Sequence, residues 1–242
     1  MKSVQEHYNQ HLGPVYSWMV GGFESALARG AAELEAIDAM PGESGWAVDL
    51  GAGFGMHAIP LAKRGFNVLA IDSCKVLLDE MQGLKNDLPV QAVEDDLFLF
   101  PQKLSEKPDI VLCMNDTLTH LADQSAVTRL IRLVAEQLRP GGQFIATFRD
   151  YSKPLEAEQR FLPVRSSATR IFSCFLEYSD SHLTVNDILY EWSGTDWKLS
   201  ISSYNKVRIS PEWVTDTLRE KGFAARLEPT DSGMVRVVAN RV

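Results

Sequence analysis

Hydrophobic and polar positions follow two different patterns along this chain, and the change falls near residue 150. Before it, short runs of β-branched and other apolar residues alternate with longer segments in which apolar residues recur every three or four positions. The first pattern is typical of buried strands and the second of helices, so their alternation predicts βαβ units and a parallel sheet. The predicted strands are 46–50, 67–71, 90–93, 109–114 and 143–148, and the predicted helices are 56–64, 75–86 and 126–138.

Beyond residue 150 the pattern is that of an antiparallel meander. Three long, partly alternating runs are separated by polar breaks that have the composition of hairpin turns. A helix then begins after Ser210, which suits an N-cap, with Pro211 at the first helical position. The runs cover 169–178, 183–192 and 197–208, and two last strands follow the helix at 223–227 and 234–239.

These patterns divide the chain into a cover, a core and an insertion. Residues 1–44 are mostly helical in pattern and form the predicted N-terminal cover. The α/β pattern occupies 45–149 and resumes at 211–242, so the meander at 150–210 is an insertion before the last helix. We therefore predict one decorated α/β domain with a doubly wound core, not two domains.

Composition adds exclusions to this picture. The 242 residues are 45% hydrophobic and 23% charged, which is the balance of a globular protein and too apolar for intrinsic disorder. No apolar run is long enough to cross a bilayer, and the first residues lack the apolar core of a signal peptide. Cys74, Cys113 and Cys174 have no C-x-x-C spacing, which argues against a disulfide framework and a zinc site. We expect a cytoplasmic protein with no metal and no membrane partner.

The charge of the chain bears on its partners. Asp and Glu number 32 against 24 Lys and Arg, which gives a formal net charge of −8. Nucleic-acid binders usually carry a basic footprint, so we expect no nucleic-acid partner. Three arginines of the meander face either solvent, an anionic substrate or the second subunit of a homo-oligomer, and these alternatives stay open: Arg160, Arg165 and Arg170.

The first predicted strand runs directly into a glycine-rich turn followed by a helix. Gly51, Gly53 and Gly55 give the spacing G-x-G-x-G, whereas a dinucleotide fold favours G-x-G-x-x-G, in which Met56 would be the third glycine. Glycines are needed where a sharp turn brings bare backbone against a ligand. Asp49 precedes this loop, and a carboxylate there suits an amine-bearing ligand better than a pyrophosphate.

Carboxylates also end the next two strands. Asp72 closes the second strand, where it is placed to accept hydrogen bonds from a ribose diol. Asp95 and Asp96 follow the third strand, just before Leu97, where a carboxylate suits an adenine amino group. An acid before a glycine loop and an acid after each of two strands form a more specific pattern than a glycine turn alone.

This pattern resembles the class I S-adenosylmethionine-dependent methyltransferases. The resemblance implies a Rossmann-like, doubly wound sheet of seven strands, mostly parallel with the last strand antiparallel. It implies S-adenosyl-L-methionine as cofactor and S-adenosyl-L-homocysteine as product, and it favours Asp96 over Asp95 for adenine. The residues that it assigns to the cofactor are Asp49, Gly51, Ala52, Gly53, Gly55, Asp72, Ser73, Asp96, Leu97, Asn115, Thr117 and Tyr16.

Two runs after the fourth and fifth strands resemble the glycine/sarcosine N-methyltransferase branch. Cys113, Asn115 and the pair His120-Leu121 form the first run, and Arg149-Asp150-Tyr151 forms the second. The resemblance implies that Arg149 binds a substrate carboxylate and that Tyr151 lies near the site. His120 is a candidate either to approach the cofactor or to help accept a proton. Asp116 stands where the relatives have an asparagine near the substrate amine, so the substrate itself can differ.

Simpler interpretations of these residues stay open at this stage. Arg149 also fits a salt bridge to a nearby acid, Tyr151 fits packing, and His120 fits a histidine satisfied by backbone at a helix start. Aromatic and sulfur-containing residues of the cover fit either a lid over a sulfonium or ordinary helix packing. They are Tyr8, Tyr16, Trp18 and Met19.

We thus expect an S-adenosylmethionine-dependent methyltransferase with a small acceptor, an amine or amino acid methylated on nitrogen. One alternative is a methyltransferase for a larger natural product or another small molecule, on oxygen or nitrogen. A second is a non-catalytic module that binds S-adenosylmethionine. A nicotinamide-dependent oxidoreductase is a more distant third, disfavoured by Met56 and Asp49.

Overall fold

The computed structural model describes residues 2–230 and 233–242, which include two β-sheets and the helices around them. The strands are β1 (Trp46–Leu50), β2 (Asn67–Asp72), β3 (Val90–Glu94), β4 (Ile110–Cys113), β5 (Gln143–Phe148), β6 (Phe161–Ser166), β7 (Arg170–Tyr178), β8 (His182–Trp192), β9 (Trp197–Val207), β10 (Phe223–Pro229) and β11 (Val235–Arg241). The α-helices are α1 (Val4–His7), α2 (Gly13–Met19), α3 (Phe23–Ala36), α4 (Ala58–Lys63), α5 (Lys75–Leu84), α6 (Gln124–Gln137) and α7 (Pro211–Glu220). A π-helical turn covers Tyr8–Leu12, and 3₁₀ turns cover Leu97–Lys103, Thr117–His120 and Ala157–Arg160.

The larger sheet has seven strands in the order β10-β11-β5-β4-β1-β2-β3. β1 to β5 pair in parallel, and β11 is antiparallel to both of its neighbours, β5 and β10. The predicted Rossmann-like α/β fold with an antiparallel last strand is therefore confirmed. The strand order reverses beside β1, and ligands of such sheets bind at this reversal, beyond the carboxyl ends of the strands.

Helices cover both faces of this sheet, and each buries an apolar stripe. α6 and α7 pack on one face, while α3, α4 and α5 pack on the other. α6 begins where the Asp123 carboxylate accepts a hydrogen bond from the Ala126 backbone N–H. α7 begins where the Ser210 hydroxyl accepts from the Trp213 N–H, with Pro211 in the first turn as the sequence predicts.

The second sheet is the insertion, with its four strands in the order β6-β7-β8-β9 and all pairs antiparallel. The sequence predicts only three long runs here, so β6 is a strand that the pattern misses. The reason lies at Pro163, which cannot donate to a ladder and is tolerated on an edge strand. The pairing of β6 with β7 is also irregular between Pro163 and Arg165.

The insertion and the N-terminal cover pack against each other. Leu12 and Val15 of the cover are buried in one apolar cluster with Phe172 and Leu189 of the insertion. In the described part of the chain, no helix is long and apolar enough to span a membrane. The same residues contain no group of His, Cys, Asp and Glu side chains that could hold a metal ion.

Candidate active site

A cavity of about 420 Å³ lies at the carboxyl ends of β1, β2 and β4. Its volume is in the range of small-molecule and cofactor sites. Residues of the glycine loop form its floor, and the cover closes one side with Val4, Gln5, Tyr8 and Tyr16. The predicted cofactor residues that line it are Gly51, Ala52, Gly53, Asp72, Ser73, Asp96, Leu97, Asn115, Thr117 and Tyr16.

The glycine loop depends on the absence of side chains. Gly51 has a φ of 73°, and a Cβ atom on it would lie 2.5 Å from the Thr117 hydroxyl oxygen. Gly55 has a φ of 92°, and its Cβ would lie 2.9 Å from Met81 Cγ. Gly55 does not line the cavity; its lack of a side chain lets the turn pack on α5. At these two positions the missing side chain lets Thr117 and Met81 pack directly against the loop.

Asp49 lies beneath this loop, on β1, and does not itself line the cavity. Its side chain is 1% exposed, and Oδ2 has no hydrogen-bond partner among the described residues. Burial raises the pKa of Asp49 to about 6. A buried carboxylate oxygen without a donor is costly, so a hydrogen-bonding cation beside it would be strongly stabilised.

The carboxylate of Asp72 ties the glycine loop to β2. One oxygen accepts a hydrogen bond from Gly53 N–H and the other from Cys74 N–H, both at 2.7 Å. Burial raises the pKa of Asp72, and these two backbone donors oppose that rise. Each carboxylate oxygen keeps further acceptor capacity, which a pair of hydroxyl groups in the cavity can use.

Asp95 and Asp96 both line the cavity, and their partners differ. Asp95 pairs with Lys103 at 2.9 Å and also accepts the N–H of Asp96. Asp96 uses one oxygen to cap the 3₁₀ turn by accepting the Phe98 N–H. Asp95 is therefore engaged by a lysine, whereas Asp96 keeps one carboxylate oxygen for another donor.

Two consecutive residues after β4 adopt left-handed backbone conformations. Asn115 has a φ of 54° and Asp116 a φ of 71°. Asparagine and aspartate tolerate this region better than other non-glycine residues, and such strain is typical of functional sites. The turn is held by Asn115 N–H, which donates to the Thr147 hydroxyl, and by Asp116 N–H, which donates to the Thr147 carbonyl.

Asp116 is the centre of a buried charge cluster. Lys206 Nζ donates to Asp116 Oδ2 at 2.9 Å, and the Arg149 guanidinium forms an ion pair with the same oxygen. The Arg149 N–H donates to Oδ1, and the Tyr151 hydroxyl lies 3.3 Å from Oδ2. Burial alone would raise the pKa of Asp116, but the two cations outweigh burial and hold the pKa below its usual range.

This cluster changes the role expected for Asp116. Its carboxylate, which stands where the relatives have an asparagine, already has two cationic partners, Lys206 and Arg149. Because two cations share the one carboxylate, the cluster has a net positive charge. Of the two cations, Arg149 is the more accessible, with 47% of its side chain exposed. The structure therefore presents Arg149 as the accessible cation and Asp116 as the group that orients it. Sequence reasoning missed Lys206, although it occupies an inward position of β9 together with Tyr204.

His120 lines the cavity, and its Nε2 has no hydrogen-bond partner among the described residues. Burial, together with the charge of Lys206, lowers the pKa of His120 to about 3, so the imidazole is neutral near pH 7. Tyr8 packs edge-on against it, with ring centres 5.5 Å apart. Tyr16 is also buried, and burial raises its pKa to about 12. The sequence also allowed a His120 whose ring is hydrogen-bonded to the backbone. Nε2 makes no such hydrogen bond among the described residues.

A second buried network holds the cover in place. His7 lies between Asp187 and Ser202 of the insertion, 2.9 Å from an oxygen of each. Cys174 Sγ donates to the other oxygen of Asp187 at 3.0 Å. His7 also stacks on Tyr204, with ring centres 4.1 Å apart. Sequence reasoning missed this network, which places α1 over the cavity.

Residues 47–142 match a family model described as a methyltransferase domain. A cypemycin N-terminal methyltransferase from Streptomyces sp. is 32% identical over 114 residues, which are 46% of this chain and 44% of the relative. A ubiquinone biosynthesis O-methyltransferase from Rickettsia typhi is 26% identical over 171 residues, covering 63% of this chain and 67% of the relative. The chain thus spans less than half the length of the cypemycin relative.

Solved structures match over nearly the whole chain. An S-adenosylmethionine-dependent methyltransferase from Clostridium acetobutylicum has a TM-score of 0.73 at 14% identity and covers 97% of this chain and 98% of its own. An amino pentose methyltransferase from Micromonospora echinaspora, solved with bound S-adenosylmethionine, has a TM-score of 0.71 at 16% identity. The match covers 96% of this chain and 97% of that protein. These likenesses extend through the cover and the insertion. Residues 47–142 therefore match a methyltransferase domain, and the chain has the Rossmann-like fold of S-adenosylmethionine-dependent methyltransferases of known structure.

Proposed function

We propose that the protein is an S-adenosylmethionine-dependent methyltransferase that methylates the amino group of a small acceptor carrying an anionic group. The observation that carries this proposal is the unpartnered Asp49 carboxylate oxygen beneath a glycine loop that ends in a cavity of cofactor size. The matched methyltransferase domain includes that loop, and the similar amino pentose methyltransferase has bound S-adenosylmethionine. A pyrophosphate ligand would place negative charge near Asp49, so the site favours a cationic, amine-bearing cofactor.

The described residues fit S-adenosylmethionine in three places. Asp49 would hold the amino group of its methionine part from beneath the loop. Asp72 would accept from the ribose hydroxyls, since both of its oxygens keep acceptor capacity beyond Gly53 and Cys74. Asp96, which uses one carboxylate oxygen to cap the 3₁₀ turn, would accept from the adenine amino group through the other oxygen, whereas Asp95 is engaged by Lys103.

The bound cofactor supplies a methyl group already activated by a positively charged sulfur. The protein therefore contributes chiefly position, orientation and removal of water. Tyr8 and Tyr16 line the cavity on the cover side, where aromatic faces stabilise a cation. His120 can accept a hydrogen bond from the acceptor amine through its free Nε2 and so point the nitrogen lone pair toward the cavity.

The low pKa of His120 sets a limit on its chemistry. A neutral imidazole that is hard to protonate orients an N–H group well but is a weak general base. The acceptor amine must therefore arrive in its neutral form. Arg149 would hold an acceptor carboxylate or other anion through its exposed guanidinium edge, while Asp116, itself bound by Lys206, pairs with the opposite edge.

The glycine/sarcosine resemblance supports an amino acid acceptor, through Arg149. The whole-chain likeness to an amino pentose methyltransferase supports a second candidate, an amino sugar or related natural product methylated on nitrogen. Both candidates share the amine, and they differ in whether the anionic group is a carboxylate.

One experiment tests the proposal. The protein is incubated with labelled S-adenosylmethionine and a panel of amino acids, simple amines, amino sugars and phenols, and label transfer is measured. We expect transfer to an amine and none to phenols. Cofactor binding without transfer to any amine would contradict the enzyme and favour a binding module. Calorimetry with S-adenosylhomocysteine and NAD on the same sample separates failure of the cofactor assignment from failure of the acceptor assignment.

A further inference from the structure

The three arginines of the insertion, whose role the sequence leaves open, lie on two different sides of the inserted sheet. Arg160 lies over the Phe175 ring, on the side that faces away from the core. Arg165 and Arg170 lie on the inner side, where their guanidinium groups are 5.8 Å and 5.7 Å from the centre of the Trp18 ring. Two of the three arginines therefore converge on the N-terminal cover.

An irregularity in the edge strand β6 places Arg165 on the inner side. Pro163 pairs with Ser173 and Arg165 pairs with Phe172, so Val164 is an extra residue in the ladder. Because side chains alternate along a strand, a regular ladder would pair Val164 with Phe172 and turn Arg165 outward. Bulges of this kind re-aim a side chain, and they are frequent beside functional sites.

Another arginine, from α3 of the cover, meets Arg165 at a glycine turn. A Cβ atom on Gly21 would lie 3.3 Å from Arg165 Nη1 and 3.8 Å from Arg29 Nη1. The Ser25 hydroxyl oxygen would lie 3.7 Å from the same point. A Cβ on Gly22 would meet nothing within 4 Å, so the turn is open beside this point. Two guanidinium groups and a hydroxyl thus surround one small space that no side chain of the turn fills.

The positive charges around this space are not matched by acids. Arg170 forms an ion pair with Glu191 at 2.9 Å. Arg29 donates to a backbone carbonyl and to a hydroxyl, both of which are neutral. Among the described residues, no carboxylate lies within ion-pair distance of Arg165 or Arg29. Adjacent unpaired cations, in a chain with a formal net charge of −8, give a local positive potential that attracts an anion.

We propose that this turn binds a phosphate group, which the acceptor carries at the end remote from its amine. The Arg165 subsite consists of Arg165, Arg29, Ser25 and Gly21. A tetrahedral phosphate accepts hydrogen bonds from several directions at once, whereas a planar carboxylate is matched by the edge of a single guanidinium group. The identity of the carrier rests on the proposed function, but the binding of phosphate does not.

The inner side of the inserted sheet connects this subsite with the proposed acceptor side. Trp18 follows Tyr16 on α2 by two positions, and Tyr16 lines the cavity. Trp18 and Cys174 pack against the same buried cluster. Burial raises the pKa of Cys174, and the nearby charge of Arg149 opposes that rise. An acceptor that contacts Arg149 would therefore extend past Cys174 and Trp18 to reach Arg165.

The first test is calorimetric titration of the full chain with inorganic phosphate and pyrophosphate, without cofactor or acceptor and at constant ionic strength. We expect both anions to bind the wild type. Arg165→Gln and Arg29→Gln should each lower the affinity about tenfold or more, because each removes charge-assisted hydrogen bonds. Arg160→Gln is the matched control, since Arg160 belongs to the same insertion but lies on its outer side. Circular dichroism checks that every variant is folded.

A wild type that binds neither anion would overturn the subsite. Equal losses in Arg160→Gln and Arg165→Gln would also overturn it, because they would indicate general attraction to the insertion. Arg149→Gln separates the two anion positions. A loss of affinity in Arg149→Gln together with unchanged affinity in Arg165→Gln would assign the anion to the Asp116 cluster and overturn the proposal.

The second test concerns the carrier, and it compares the KM values of glucosamine and glucosamine 6-phosphate in the methyl-transfer assay. Wild type should prefer the phosphorylated amine, and Arg165→Gln should lose that preference. A preference that survives in Arg165→Gln would overturn the assignment of the carrier. Absence of transfer to every amine would contradict the proposed function, while the calorimetric result still decides whether the subsite binds phosphate.

Discussion

Lys206 Nζ lies 2.9 Å from Asp116 Oδ2, although the two residues are 90 positions apart in the sequence. Both side chains are almost fully buried, and the ion pair joins the inserted sheet to the carboxyl end of β4. The cluster that orients Arg149 therefore belongs partly to the core and partly to the insertion. Under the proposed function, this ion pair makes the insertion part of the proposed acceptor side and not only a cover.

Lys206→Met should lower the free energy of unfolding by about 3 kcal/mol, because it removes one partner of a buried ion pair. The measurement is urea unfolding followed by circular dichroism. Lys198→Met is the matched control, since Lys198 is an exposed lysine of the same strand and its loss should change stability by less than about 0.5 kcal/mol. Equal losses in the two variants would contradict the buried pair.

Arg149→Ala should raise the KM for a carboxylate-bearing acceptor about 30-fold, which corresponds to losing a charge-assisted contact of about 2 kcal/mol. kcat should change less, because the contact lies away from the transferred methyl group. The control is an acceptor that has the same amine and no anionic group, whose KM should stay constant. Parallel effects on both acceptors would remove the anion from the proposal.

Gly51→Ala should weaken S-adenosylhomocysteine binding and lower stability, because the new Cβ would meet the Thr117 side chain at a left-handed backbone position. Gly194→Ala is matched to it, since Gly194 also has a positive φ, 99°, but has open space around its Cβ. Only the backbone cost of about 1 kcal/mol applies there. Calorimetry that finds equal affinity in both variants would show that the close approach is not needed.

Cofactor affinity should depend on pH through Asp49. Burial raises the folded-state pKa of Asp49 to about 6, above its unfolded value, so its contribution to stability is present at low pH and lost as pH rises through about 6. Burial favours the neutral form of Asp49, whereas the ammonium group of a bound cofactor would favour the charged form. S-adenosylhomocysteine should therefore bind more tightly as pH rises from about 5 to about 7, with proton release on binding. Two neighbouring side chains also act on the pKa of Asp49: His57 lowers it and Asp72 raises it.

Asp49→Asn tests this assignment directly, because an amide has no proton to release. Its affinity for S-adenosylhomocysteine should be lower at neutral pH and nearly flat between about pH 5 and about pH 7. Calorimetry in buffers of different ionisation enthalpy measures the released protons. The same pH slope in Asp49→Asn and wild type would assign the dependence to another group.

Asp187→Ala should lower the free energy of unfolding by about 2 kcal/mol, because it leaves His7 and Cys174 buried without their acceptor. It should also weaken S-adenosylhomocysteine binding, since α1 closes the cavity from the position that His7 fixes. Urea unfolding and calorimetry give the two readings. Asp196→Ala, at the exposed hairpin tip, is the control and should change neither.

The cofactor side of the site is predicted largely by local sequence. Asp49, the glycine loop and Asp72 follow directly from the ends of two strands, and strand ends are readable from short apolar runs. The proposed acceptor side depends on the strand register between distant segments. Lys206 becomes a site residue only because β9 pairs with β8 so that residues 202, 204 and 206 point inward. A local pattern of alternating residues does not determine which of its two faces is buried.

The contacts of the N-terminal cover could not be predicted from the local sequence either. His7 meets Asp187 across 180 positions, and nothing in the first helix marks its histidine as a buried partner. β6 was missed for a different reason, since Pro163 and the irregular pairing beside it break the strand pattern. In both cases the tertiary partner, and not the segment itself, decides the conformation.

The position of β11 has a consequence for how the chain folds as it is synthesised. β11 lies between β5 and β10, so residues 235–241 complete the pairing of two strands that are made before them. Until those residues leave the ribosome, β5 has one open edge and β10 has no partner in this sheet. Unpaired edges of this kind are sites of aggregation in nascent chains. The core of this protein should therefore close in a single late step, and premature termination before residue 235 should give a chain that requires a chaperone rather than a smaller folded domain.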